Sequence, residues 1–190
     1  MWAARICLHA GIDIAPQVCH KFLEQHGLEP DNETVVYDDQ LVAGKYPGVR
    51  VRSMTETEGT VEIVIGDFLD ETFLQEVFPE QSKTDAIWDR AGVTSMATME
   101  DVELYLKHCY AILKPGGKLL LEFMDSDKQD LDSIRLALGK ATYLLGKVGF
   151  NDRRTLHTRD LTEEYCNLGA VGATRLDEIV ILAEKQSLPC

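Results

Sequence analysis

Three aspartates stand directly behind short apolar runs that read as β-strands: Asp13 after Gly11-Ile12, Asp67 after Val61–Gly66, and Asp89 after Asp85–Trp88. In a doubly wound sheet the ligand crevice lies outside the carboxyl ends of the strands, so a residue just past a strand is placed to meet a bound molecule. A carboxylate offers acceptors only. Placed after the second strand of a nucleotide-binding βαβ unit, its two oxygens can take both hydroxyls of a ribose. Arg90 follows Asp89 at once, and its planar guanidinium suits the orientation of a polar or anionic group. The same residue types also form turns, cap helices and pin strand ends as ion pairs, and spacing alone leaves both readings open.

The elements that would position these groups alternate along the chain. Gly11–Ala15 reads as the end of a strand, Pro16 fits the first turn of the helix after it, and Val18, Phe22 and Leu23 recur at helical spacing until Gly27. Residues 30–60 are rich in turn formers, with an extended piece at Val49-Arg50-Val51 and a hairpin turn near Glu58-Gly59-Thr60. Val61–Ile65 is a strand, Phe73–Phe78 a short helix and Asp85–Trp88 a further buried strand. From Thr98 to Leu113 the spacing of Val102, Tyr105, Leu106, Cys109 and Leu113 predicts an amphipathic helix, opened by a capping box between Thr98 and Asp101. Lys114-Pro115-Gly116-Gly117 stops it, and Lys118–Met124 reads as a central strand buried on both faces. Helices over 128–147 and 161–168 and a last strand at Glu178–Leu182 complete the pattern. Strands separated by helices predict an α/β fold with a largely parallel sheet, in a single domain over residues 1–190.

The formal charge of −13 works against a nucleic-acid partner, because phosphate binding needs clustered Lys and Arg. No apolar run is long enough to span a membrane, and five scattered cysteines without zinc or redox spacing point to a reducing, cytoplasmic setting with no metal site. Small-molecule chemistry fits better. No histidine stands out as a general base: His20, His26 and His108 read as surface or packing residues, and His157 stays open.

Read together, these strings resemble the thiopurine S-methyltransferase-like family of class I S-adenosylmethionine-dependent methyltransferases. Gly11–Pro16 with Phe22–Pro30 is similar to the family's second strand, its acid and the next helix. Glu58–Ile63 through Gly66-Asp67-Phe68 resembles its hairpin and third strand, Asp85–Ala91 its fourth-strand signature, and Leu113–Gly117 the turn before strand five. The resemblance implies a Rossmann-like sheet, mostly parallel with an antiparallel C-terminal edge. Its cofactor would be S-adenosyl-L-methionine, and its reaction methyl transfer to a small molecule, with a thiol or other sulfur acceptor favoured. Thiols ionise near pH ~8.5 and so react without a strong base. Asp13, with Ile14 beside it, would hold the cofactor's ribose; Asp67 and Phe68 would flank the adenine. Arg90 would lie near the reacting methyl and the acceptor, with Asp89 as a catalytic partner or only the group that holds Arg90 in place.

Two departures accompany the resemblance. The family's first strand and glycine-bearing loop have no counterpart among the ten residues before Gly11, so the chain reads as lacking them. After Glu122–Asp127 the chain continues with Lys128-Gln129-Asp130 into a predicted helix where the family often has a proline-rich substrate loop. The competing expectation is a methyltransferase-like remnant that binds without catalysis. A dehydrogenase is disfavoured because no G-x-G-x-x-G precedes the Asp13 strand.

Overall fold

The structure, a computed structural model, describes residues 10–13, 50–55, 59–65, 67–78, 84–90, 92–127, 136–165 and 168–187. The chain divides into two compact units, residues 1–73 and 74–190.

In the first unit β1 (Ala10–Asp13) runs parallel to β3 (Gly59–Ile65), and β2 (Arg50–Thr55) pairs antiparallel with β3, in the order β1-β3-β2. The expected hairpin is the β2–β3 pair, with Thr55 opposite Gly59; β2 is longer than the Val49–Val51 piece read from sequence. The parallel register sets Asp13 opposite Ile65, so the carboxyl ends of β1 and β3 meet at one end of this sheet. The predicted helix after Pro16 lies outside the described residues, as does Ile14. The short helix α1 (Glu71–Val77) spans the boundary between the units.

The second unit is built on four strands, β4 (Thr84–Arg90), β5 (Leu113–Ser126), β6 (Phe150–Asp160) and β7 (Leu176–Lys185), in the order β4-β5-β7-β6. β4 is parallel to β5, while β7 is antiparallel to both β5 and β6, which makes the antiparallel C-terminal edge. Facing residues of β5 and β7 form the apolar centre: Leu119 lies opposite Ala183, Leu121 opposite Ile181 and Phe123 opposite Ile179, all fully or nearly fully buried. The other face of β5 (Leu120, Glu122, Met124) is only half-buried, so the strand is not covered equally on its two faces as its composition suggested.

Helix α2 (Met99–Ile112) buries Val102, Tyr105, Leu106 and Cys109, as the spacing predicts, and Ile112, which takes the place of the expected Leu113 because the helix ends one residue earlier. Its capping box is complete: Thr98 Oγ1 accepts from Asp101 N at 3.1 Å, and Asp101 Oδ2 accepts from Thr98 N at 2.9 Å. Aspartate is one methylene shorter than the usual glutamate but reaches here. Helix α3 (Leu138–Val148) packs on α2 and β6, and Tyr110 of α2 meets Phe150 edge to face at 5.1 Å. The predicted helix thus survives in its second half; residues 128–135 are outside the described set.

Three expectations are corrected. Lys114–Gly117 does not separate a helix from a strand but forms an irregularity inside β5, whose pairing with β4 shifts between Thr84 and Ala86. Gly116 has φ +77°, and a Cβ on Gly117 would stand 2.8 Å from the Lys114 carbonyl, so the kink needs both glycines. β6 was not expected at all, because residues 151–160 are exposed throughout and carry no apolar alternation. Residues 161–165 form a turn rather than the expected α-helix, and 166–167 lie outside the described residues: Glu164 N donates to Leu161 O and Leu168 N to Tyr165 O, both i to i+3. Among the described residues no helix is long and apolar enough to cross a membrane.

At the far end of β7, Lys185 reaches the C-terminus of α2. Its Nζ donates to Tyr110 O at 2.7 Å and Leu113 O at 2.8 Å and stands 4.5 Å from the Tyr110 ring centroid. These carbonyls are the orphans a helix leaves at its C-terminus, where the dipole also favours a cation. Replacing Lys185 with methionine keeps the stem and removes the donor. It should lower unfolding free energy by about 1–3 kcal/mol in urea denaturation, and an unchanged midpoint would show that the contact is not needed.

Candidate functional site

The first unit supplies two of the expected acids. Asp13 closes β1, and Asp67 stands two residues past Ile65, its register partner. Asp67 also organises the chain leading into α1: its Oδ1 accepts from Leu69 N at 2.9 Å and its carbonyl from Asp70 N at 3.0 Å. Asp70 repeats the device, its Oδ1 accepting from Thr72 N at 2.9 Å. Asp67 is therefore a turn former of the Asx type while standing at a strand's carboxyl end, with half-buried Phe68 in the same turn.

The second unit supplies the β4 end. Strand residues alternate faces, and the consecutive residues Asp89 and Arg90 differ accordingly. Asp89 is 6% exposed; its Oδ1 accepts from Gly92 N at 2.8 Å and its Oδ2 from Val93 N at 3.1 Å. The Tyr105 hydroxyl from α2 hydrogen-bonds to the same carboxylate. Burial raises the Asp89 pKa above the ordinary carboxylate value and nearby Glu122 pushes the same way, while the Gly92, Tyr105 and Val93 donors oppose the rise. A Cβ on residue 92 would stand 2.6 Å from Asp89 Oδ1, so only glycine lets the 3₁₀ turn Gly92–Ser95 close on the carboxylate.

Arg90 is turned outward, its side chain 75% exposed, and among the described residues its ion-pair partner is not Asp89. Its Nε stands 3.4 Å from Oε1 of Glu122, the residue opposite it on β5, and Glu122 Oε2 accepts from the Trp88 indole N–H at 3.3 Å. The expected Asp89–Arg90 bond is thus replaced by two separate arrangements, Asp89 inward on backbone amides and Arg90 outward on Glu122. Sequence reading missed Glu122 and Tyr105. The signal for the first was a lone acid within the most apolar strand; for the second, a tyrosine on the buried stripe of an amphipathic helix.

Past the end of β5 lies a cleft of about 300 Å³ whose lining includes Asp125, Asp127, Thr158, Arg175 and Asp177. Its charges are largely matched with one another. Asp127 accepts from Thr174 N at 2.8 Å, Arg175 N at 2.9 Å and the Thr174 hydroxyl, and Arg175 Nε stands 2.8 Å from Asp177 Oδ2. His157 lies on exposed β6 with Nε2 3.5 Å from Glu178 Oε2, and His108 is half-buried on α2; His20 and His26 are outside the described residues.

No known family's sequence profile matches the chain, and no curated protein matches it by sequence. Solved structures do. A methyltransferase from Methanosarcina mazei, S-adenosylmethionine-dependent, aligns at 15% identity over 94% of this chain and 82% of its own, with a TM-score of 0.55. An arsenic(III) S-adenosylmethionine methyltransferase from Chlamydomonas reinhardtii aligns at 18% identity over 93% of this chain and 55% of its own, TM-score 0.55. A phosphoethanolamine N-methyltransferase from Haemonchus contortus, solved with phosphomonomethylethanolamine and S-adenosylhomocysteine, aligns at 15% identity over 67% of this chain and 38% of its own, TM-score 0.50. The chain therefore spans 55% and 38%, respectively, of the lengths of the last two. The fold is the Rossmann-like α/β fold seen in class I methyltransferases; the neighbours that share it are methyltransferases of several kinds, and none of the three is a thiopurine enzyme.

The Asp127 clamp generates a prediction. The Thr174 hydroxyl, followed by the Thr174 and Arg175 amides, lowers the Asp127 pKa to about 2. A carboxylate depressed on folding stabilises fully above its unfolded pKa of about 3.9, and that contribution fades as pH falls toward the folded value. Asp127→Ala should be less stable than the parent by a constant margin from neutral pH down to about 5, with the margin narrowing below about 4. Urea midpoints measured in parallel for both proteins across this range check it; a margin independent of pH would refute the ionised clamp.

Proposed function

We propose that this chain is an S-adenosylmethionine-dependent methyltransferase acting on a small molecule, with a thiol or other sulfur group as the favoured acceptor. The observation that carries the reading is the class I methyltransferase fold with carboxylates at the carboxyl ends of its parallel strands, where such folds take their ligands. The donor set suits the cofactor. Asp13 is an acceptor-only group matched to a ribose diol, with Ile14 adjoining it in sequence, and Asp67 with Phe68 matches an adenine amine and ring. When bound, S-adenosyl-L-methionine supplies an activated methyl, which leaves the protein to orient and align.

Arg90 is the residue we assign to the acceptor. Its Nε is tied to Glu122 while the guanidinium stays exposed, so the fork has a fixed edge and a free edge. The free edge can orient a polar or anionic acceptor, and orientation is the larger part of such catalysis. Asp89 keeps the β4 end rigid through Gly92 and Val93. The sulfur preference rests on thiol chemistry alone, since thiols need no strong base. We read the chain as one domain working in the cytoplasm, without nucleic acid or membrane as partner.

Calorimetry with S-adenosylhomocysteine tests this directly. The chain should bind it, and Asp13→Ala should weaken binding by about tenfold or more, the loss expected for hydrogen bonds to a charged acceptor. No heat of binding would favour the non-catalytic remnant. In a chain that transfers methyl to a panel of small thiols, Arg90→Lys should lower turnover with little change in S-adenosylhomocysteine affinity, because an ammonium cannot reproduce the planar fork. Full turnover in the folded Lys variant would remove Arg90 from the acceptor.

A further inference from the structure

Behind the β4 end lies a buried polar chain for which the proposed reaction has no direct use. Tyr105 and Cys109 sit one turn apart on the inner stripe of α2, 7% and 0% exposed, and Asp89 of β4 is 6% exposed beside them. The Tyr105 hydroxyl is hydrogen-bonded to both Asp89 and Cys109. Burial, foremost, pushes the Tyr105 phenol well above its ordinary pKa and likewise raises the Cys109 thiol, so both stay protonated. An ionised Asp89 can only accept, so in their hydrogen bond the phenol proton goes to the carboxylate.

The two Asp89 oxygens already take the amides of Gly92 and Val93, at 2.8 and 3.1 Å. A carboxylate this deeply buried needs every donor it has, because its desolvation is expensive and Glu122 adds repulsion. Gly92 touches Asp89 so closely that no side chain fits there, so any movement of the carboxylate moves the turn that follows Arg90.

We propose that Tyr105 is a positioning residue: its hydroxyl seats the Asp89 carboxylate on the Gly92 and Val93 amides and thereby fixes the strand end that carries Arg90. The link from Tyr105 to the turn is independent of any reaction, whereas its consequence for catalysis rests on the acceptor role proposed for Arg90. Among the described residues the groups that bear on Asp89 are the Gly92 and Val93 amides, Tyr105, Glu122 and the Cys109 thiol, and of these only Tyr105 can be silenced by removing a single oxygen from a side chain.

The experiment is Tyr105→Phe in the full chain, read by carbon-13 NMR of the Asp89 carboxyl across pH and by amide exchange at Gly92 and Val93. The Asp89 midpoint should rise by about one unit, a tenfold gain in proton affinity, and the two amides should exchange about tenfold faster while Leu106 in α2 keeps its protection. An unchanged midpoint in the folded variant overturns the proposal. In a chain that transfers methyl, turnover at neutral pH should fall while S-adenosylhomocysteine affinity holds; a shifted midpoint with unaltered turnover supports the link to Asp89 and overturns its consequence for Arg90. A chain that binds no S-adenosylhomocysteine refutes the proposed function, and the midpoint and amide exchange still decide the link. Should Tyr105→Phe fail to fold, the Tyr105 Cζ resonance of the unaltered chain decides: it should follow the Asp89 titration, and indifference to it overturns the proposal.

Discussion

The second unit depends on one ladder, the antiparallel pairing of β5 with β7 from Lys118 opposite Glu184 to Ser126 opposite Leu176. Its buried face, Leu119, Leu121 and Phe123 against Ala183, Ile181 and Ile179, is the surface that the other elements of this unit can share. Side chains alternate along a strand, so this register commits each neighbour: a slip of either strand by one residue would send its three apolar groups to the opposite face. β4 adds in parallel on one flank and β6 on the other, and the ladder's two ends then become different places. At one end Lys185 meets the carbonyls of α2; at the other, Asp127 gathers the chain at the start of β7.

The β4 end is where this framework meets a polar demand. An ordinary core would place a hydrophobic residue at position 89. A carboxylate there has to be given donors, and the local sequence provides them by three different means: a glycine that allows an amide to approach, a 3₁₀ turn that aims a second amide, and a tyrosine from the helix overhead. Breaking a buried charged arrangement by removing one member leaves the rest uncompensated, so such clusters change together or not at all. Arg90, on the opposite face, escapes that constraint and is held only by the half-buried Glu122.

Legibility in the sequence followed the strength of the burial signal. β3, β4, β5, β7 and α2 carry apolar residues suited to their own geometry, and each is legible in the sequence, β5 only from Lys118 although the strand begins at Leu113. The capping box at Thr98 was readable because capping needs particular atoms at particular spacings. β6 was invisible, since ten of its residues are exposed and a strand without a buried face has no period-two pattern to display. Around the candidate site the acids were legible as types at strand ends, but their partners were not. Which side of β4 each of Asp89 and Arg90 takes depends on the register between β4 and β5, where the Lys114–Gly117 irregularity shifts the count. Glu122 and Tyr105 come from elements 33 and 16 residues away from Asp89 in the chain, and only packing reveals them.

The outer edge of β6 has a consequence for how this protein behaves in company. A strand at the end of a sheet offers unpaired amides and carbonyls to any other extended chain, and a flat apolar one invites stacking into aggregates. β6 is long, but its pairing with β7 is interrupted twice, between Phe150 and Arg153 and between Thr155 and His157. Asp152, Arg153, Arg154, Arg159 and Asp160 populate it with charge of both signs. An incoming strand would have to follow two irregularities and bury ionised side chains against its own. The feature that hid β6 from sequence reading, a strand dressed as a loop, thus works against the addition of another strand at this edge of the described sheet.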